Sequence, residues 1–154
     1  MMKKILAIVL MLAMCLSFMS ADILGDWTDE KIENAFKVHV ETFFLNCIDG
    51  NVLEAIQTLD LNEFVYNDED IGSEFSDETS DDDFIDLCVG ISNYIGDKFI
   101  DAGFSSGYSV HEFRLSKKTD DYLRFYASDY SGNDCKIIIT IKDEKFFIQE
   151  ISFK

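Results

Sequence analysis

The sequence predicts an α+β domain, with N-terminal helices packed on a curved antiparallel sheet of four to five strands. Three observations carry that expectation. Apolar residues recur at helical spacing in the first part of the chain, as at Ile32, Phe36, Val40, Phe43 and Cys47. After Gly107 the period changes to two and holds to the end. The 154 residues contain no proline and no internal repeat, so no linker of that kind divides the chain. Helices first and a run of strands afterwards is an α+β order.

Before the first helix stands MMKKILAIVLMLAMCLSFMSA, residues 1–21. It has a positive start at Lys3 and Lys4, an apolar run from Ile5 to Leu16, and small residues at Ser20 and Ala21. That is the layout of a secretory signal peptide. It leaves a single domain over 22–154, long enough to bury a core without staples. Cleavage after Ala21 would put Met19 where a small residue is expected. Two alternatives stand beside it. One is an uncleaved anchor, against which the apolar run is shorter than the ~18 residues of a spanning helix. The other is lipidation of Cys15, against which Met14 is bulky for the residue before a modified cysteine. The expected location is secreted or periplasmic, with membrane attachment only if this segment is retained or Cys15 is lipidated.

Thr28 is placed to cap a helix that opens with Asp29 and Glu30, acids suited to the helix dipole. Gly50 ends it. Asn51 and Glu54 form a possible capping pair for a short second helix through Leu59. Residues 63–66, EFVY, read as one short strand. Ser80 and Asp83 make another capping-box pattern, followed by the stripe Phe84, Leu87, Cys88, Ile91, Ile95 and Phe99, with Gly103 as C-cap. This predicts a helix over about 81–102.

Four strands are then expected at 108–116, 121–131, 135–142 and 145–153, joined by hairpin connections at 117–120, 131–134 and 143–144. Alternation assigns His111, Phe113, Leu115, Leu123, Phe125, Ala127, Cys135, Ile137, Ile139, Ile141, Phe147, Ile151 and Phe153 to the core face. The other face receives Arg114, Tyr122, Arg124, Tyr126, Tyr130, Ile138, Phe146 and Ile148.

Two stretches resemble a known family. FFLNCIDGNVLEAIQTLDLNEFV, 43–65, is similar to the long helix, Asp/Gly break, second helix and following strand of the NTF2-like (cystatin-related cone) superfamily. DYLRFYASDYSGNDCKIIITIKDEKFFIQEISFK, 121–154, is similar to that superfamily's closing strands. The resemblance is a pattern of elements over most of the domain. It implies a cone-shaped sheet that can hold a ligand pocket, and a small exported protein that binds ligands or partners.

Charge narrows the partners. Lys and Arg number 13 against 30 Asp and Glu, a net charge of −17, and −19 without Lys3 and Lys4. Such a surface repels phosphate backbones and anionic headgroups, so nucleic acid is not expected. Basic proteins, cations and neutral small molecules remain. Cys47, Cys88 and Cys135 are too widely spaced for a CxxC site and lie on apolar faces, so they read as small buried residues, a bridge between two being the alternative. No cofactor is expected.

The acidic run NDEDIGSEFSDETSDDD, 67–83, holds nine Asp or Glu and no Lys or Arg. It nearly fits a calcium loop, with Gly72 at position 6 and Glu78 at position 12. Ile71 at position 5 lacks a side-chain oxygen, which rejects the EF-hand. A weak cation site using Asp68 and Asp70 is the alternative to a solvated acidic connection over 67–79 that steers a basic partner. GFSSG, 103–107, matches a nucleophile-elbow pattern, but here a helix precedes it and a strand follows, the reverse of what that turn requires.

Two histidines exist. His39 borders the first helix's apolar stripe, and His111 is expected on the core face of the sheet; each reads as a core or boundary residue. A His39–His111 pair in the cone, with His111 as general base of an isomerase- or hydrolase-like enzyme, is the alternative, although no carboxylate partner is identifiable. Tyr122, Arg124, Tyr126 and Tyr130 have the composition of an interface core. The leading expectation is a non-enzymatic binding domain. It would engage a protein partner or a second copy through this face, or a small apolar ligand in the cone.

Overall fold

The computed structural model describes residues 21–72, 80–101, 110–143 and 145–154. The signal-peptide reading of 1–21 and Cys15, the cap at Gly103 and the GFSSG turn lie outside the described residues, save Ala21 itself.

After a 3₁₀ turn at Ala21–Asp26, α1 spans Asp29–Ile48. The Thr28 hydroxyl accepts from the Lys31 amide at 3.3 Å, as its position predicts. One face, Ile32, Phe36, His39, Val40, Phe43, Phe44 and Cys47, is buried. The helix stops where Asp49 N–H donates to the Leu45 carbonyl and Gly50 takes φ 73°, a conformation glycine adopts without a Cβ penalty. The second helix, α2, covers only Val52–Ile56, and the expected cap does not form: Asn51 Nδ2 instead donates to Asn46 Oδ1 at 3.4 Å.

The third helix, α3, spans Asp81–Asp101. Ser80 accepts from Asp83 N–H at 3.3 Å and donates its hydroxyl to Asp83 Oδ2 at 2.6 Å. Cys88, Ile95 and Phe99 of the expected stripe are buried, while Leu87 and Ile91 are half-covered. Gly96 lets α3 close on α1, because a Cβ there would stand 2.9 Å from the Cys47 carbonyl oxygen.

The sheet has six strands: β1 Val65–Tyr66, β2 Glu69–Asp70, β3 Glu112–Lys118, β4 Tyr122–Ser128, β5 Asp134–Lys142 and β6 Lys145–Phe153, in the order β2-β1-β6-β5-β4-β3. Helices and sheet together make an α+β architecture. The expected four- to five-stranded antiparallel sheet is corrected on two counts. There are six strands, and β1 runs parallel to β6, pairing Val65 with Glu150 and Tyr66 with Ile151, so the sheet is mixed. β1 falls within the short strand expected at 63–66, whereas β2, two residues inside the acidic run, is too short for alternation to reveal.

The second correction concerns the acidic run. Residues 67 and 68 form the turn of the β1–β2 hairpin, Asn67 at φ 47° and Asp68 at φ 67°, the backbone of a type I′ turn. Asn67 Oδ1 accepts from Phe153 N–H at 2.8 Å, and Gly72 N–H donates to the Phe64 carbonyl at 2.8 Å. The first part of the expected solvated connection is therefore ordered sheet; 73–79 lie outside the described residues.

A third correction concerns the faces of β6. Ile138 pairs with Glu150 but Ile139 pairs with Ile148, so Gln149 is an extra residue on β6. A bulge of this kind shifts strand parity by one. Phe146 and Ile148 therefore join Ile151 in the core, where alternation had placed Phe147 instead. Between sheet and helices the space fills with rings: Phe36 lies 5.5 Å from Phe125 and 5.0 Å from Phe146, and Phe113 stacks on Phe125 at 4.6 Å. On β3, the last strand in the sheet order, Glu33 accepts from Leu115 N–H at 2.7 Å, beside a register shift between Leu115 and Lys117.

Candidate functional site

One open cleft of about 580 Å³ lies between α3 and the hairpin end of the sheet. Helical spacing sets its first wall. Leu87, Ile91 and Ile95 recur every four residues of α3, with Asp83, Asp86, Gly90 and Tyr94 beside them. Phe64, Tyr66 and Ile71 form the opposite wall, held in place by the β1–β6 pairing and by the Gly72–Phe64 hydrogen bond.

Glycine is explained at one of the two positions in α3 and not at the other. Gly96 is required by the approach of α1. A Cβ on Gly90 would meet nothing within 4 Å among the described residues. In a helix interior glycine costs about 1 kcal/mol relative to alanine, so packing gives no reason for it here. What its missing side chain does is leave the cleft wall low.

At the inner wall Tyr66 is 1% exposed, and its ring meets Tyr94 edge-on with centroids 5.1 Å apart. Burial pushes its phenol pKa up, with Tyr94 and Cys135 adding to the shift and the Asn67 side chain opposing it. The hydroxyl is buried without a well-formed hydrogen bond. A buried hydroxyl left unpaired costs about 1–3 kcal/mol.

The sequence-predicted residues are distributed elsewhere. His39 is buried in α1 with no hydrogen bond to either ring nitrogen among the described residues, edge-on to Phe36 at 6.3 Å. Desolvation drives its pKa down to about 4, so it is neutral at neutral pH. His111 is not on the core face as alternation suggests. It lies exposed just before β3 and stacks on Tyr130 at 4.4 Å. The buried neighbour is Val110. No hydrogen bond joins the two histidines, and neither has a carboxylate bonded to it among the described residues.

Tyr122, Arg124 and Tyr126 do share the outer face of β4, half-exposed. Their surroundings are largely internal: Lys117 Nζ sits 5.2 Å from the Tyr122 ring centroid, Lys154 Nζ 5.7 Å from that of Tyr126, and Arg124 Nε donates to Ser116 Oγ at 3.0 Å. Lys136 and Glu150 form an ion pair, and their strands bring both onto this face. Beside Tyr126 lies a shallow polar depression of about 280 Å³ that includes Arg114, Glu112 and Asp134. Tyr130 does not belong to this row. β4 ends at Ser128, and Tyr130 occupies a turn built on Asp129, whose Oδ1 accepts from Ser131 N–H and Asn133 N–H at 2.8 Å each.

Asp68 lies in the hairpin turn and Asp70 on β2, and no group of three or more His, Cys, Asp or Glu placed to hold a metal occurs among the described residues. Cys47, Cys88 and Cys135 are buried free thiols. Burial pushes Cys47 up to about 12, against a contact with Ser92 that lowers it. No described helix is long and apolar enough to cross a membrane. No protein-family model matches this chain, and no curated protein is significantly similar to it.

Proposed function

We propose that the chain is an exported, non-enzymatic binding domain of NTF2-like shape that takes up a small, mostly apolar molecule in the cleft between α3 and the β1–β2 hairpin. The carrying observation is the cleft itself, about 580 Å³ with apolar walls and a glycine, Gly90, that packing does not require. That volume falls in the usual range for small-molecule pockets, roughly 300–1,000 Å³. The order of elements, two helices, a short hairpin, a third helix and a four-strand meander, supports the NTF2-like reading. The layer between helices and sheet is packed with Phe36, Phe125 and Phe146, with His39 edge-on to Phe36, which favours the cleft over that interior as the place of binding.

The test uses the purified protein and Nile red, a neutral dye whose emission shifts in apolar surroundings. Saturable binding to the wild type, weakened at least tenfold in Gly90→Leu with unfolding temperature preserved, is the expected result. Equal binding to both proteins would exclude the cleft as the site, and no saturable binding to the wild type would exclude the reading.

A second reading is favoured by one observation: Tyr122, Arg124 and Tyr126 form a half-exposed aromatic and cationic row on the outer sheet face. Such a row suits a protein partner or a second copy. Association that survives Tyr126→Ala and Arg124→Ala unchanged would end it. The isomerase- or hydrolase-like alternative has no such support, since His111 is exposed and acid–base work needs a carboxylate beside it.

A further inference from the structure

Resting on the cleft-binding reading, we propose that the ligand is a cationic amphiphile, an organic ammonium carried on an apolar body.

Among the described residues the lining of the cleft carries two charges, and both are negative. Asp83 and Asp86 stand three residues apart on α3, hence one turn apart on the same side of the helix. No Lys, Arg or His is among the lining residues. Asp83 is partly occupied: it accepts the Ser80 hydroxyl, and with Asp81 and Asp82 it faces the positive end of the helix. Asp86 lies beyond the first turn and takes part in no ion pair or side-chain hydrogen bond among the described residues. Its charge is uncompensated beside the apolar wall of Leu87 and Ile91.

The remaining walls divide the ligand into parts. Ile71, Leu87 and Ile91, half-buried, offer contact to an apolar body but no hydrogen bonds from their side chains, with Phe64 and Ile95 almost wholly buried beside them. Tyr66 lines the same cleft and carries a buried hydroxyl without a well-formed hydrogen bond, an observation independent of the two acids. Tyr94 contributes a ring 46% exposed. Lys98 Nζ already sits 5.7 Å from its centroid, so one cation of the protein competes for that ring. Charge recognition therefore falls to the two carboxylates. The field of the whole molecule, net −17, acts in the same direction by concentrating cations and excluding anions.

Three probes with one alkyl chain separate charge from apolar contact: octyltrimethylammonium, octyl glucoside and octanoate, titrated by calorimetry at low and at physiological salt, below their micellar concentrations. The ammonium is expected to bind at least fivefold more tightly than the glucoside and octanoate weakest of all, a charge preference of the size of one partly exposed ion pair. Asp86→Asn is expected to remove most of that preference, and Asp83→Asn part of it while leaving the Ser80 cap in place. Glucoside affinity should be unchanged in both variants and weakened in Gly90→Leu. Equal affinity for all three probes, with Gly90→Leu still weakening them, overturns the ligand class and leaves the cleft reading intact. A preference that persists in Asp86→Asn,Asp83→Asn belongs to the net charge of the molecule and also overturns the class. Failure of all three to bind removes both the class and the cleft reading.

Discussion

The rings of Phe44 and Phe99 stack with centroids 3.8 Å apart and planes 10° from parallel. Both also approach Phe153, each with centroids 6.2 Å away. One helix, the other helix and the last strand thus meet at a single aromatic junction. Phe44→Ala is expected to cost about 3–5 kcal/mol, the range for deleting a fully buried ring. A double-mutant cycle with Phe99→Ala should show coupling of about 1 kcal/mol or more. Urea denaturation measures both, and additive losses would mean the stack contributes nothing beyond burial.

His39 makes stability depend on pH. Its folded pKa, about 4, lies below the unfolded value near 6.5, so the unfolded chain takes up the proton more readily. The contribution is complete above about pH 6.5 and is lost progressively as pH falls towards 4. The full loss is on the order of 3 kcal/mol. The difference in unfolding free energy between wild type and His39→Leu should therefore change over that interval. Parallel pH profiles for the two proteins would refute the assignment.

The two glycines of α3 should respond oppositely to alanine. Gly90→Ala should stabilise by about 0.5–1 kcal/mol, since its Cβ meets no described atom within 4 Å. Gly96→Ala should destabilise by about 1–3 kcal/mol, because the Cys47 backbone cannot move aside cheaply. Thermal unfolding of the pair is a direct comparison.

Asp68 holds φ 67° in the hairpin turn, where glycine is preferred. Asp68→Gly should stabilise by about 1 kcal/mol, the cost of a left-handed conformation for a residue with a side chain. Unchanged stability in urea would mean the turn carries no strain.

Much of the fold was legible in the sequence, for identifiable reasons. Thr28, Ser80 and Gly50 marked helix ends because each does a local hydrogen-bonding or conformational job that the residue type announces. The strands from Glu112 onwards were visible because one face is buried and alternation follows. What escaped was non-local. The bulge at Gln149 leaves no mark in the residues around it, so Phe146 and Ile148 were placed on the wrong face. The pairing of Val65 and Tyr66 with β6 joins residues far apart in the chain. The cleft escaped for the same reason, since its walls come from opposite ends of the acidic run and the elements flanking it. Two hints were available: Gly90 interrupts a helical pattern without ending it, and Tyr94 lies off the apolar stripe. Tyr122, Arg124 and Tyr126 were correctly grouped because one strand carries all three, whereas Tyr130 and His111 lie where regular alternation has stopped.

The parallel pairing of β1 with β6 also bears on how the molecule is assembled in time. A contact between Val65 and Glu150 closes most of the domain into one loop, and loops of that length carry a heavier closure entropy than the local hairpins of the meander. The meander is therefore expected to form first and the β1–β2 hairpin to dock afterwards on a finished β6. Phe64, Tyr66 and Ile71 reach their places only with that docking. The binding cleft is then a late product of folding, and pulse-labelled hydrogen exchange should find the Asn67 amide, which donates to Ile151 at 2.9 Å, protected after the amides shared by β4 and β5.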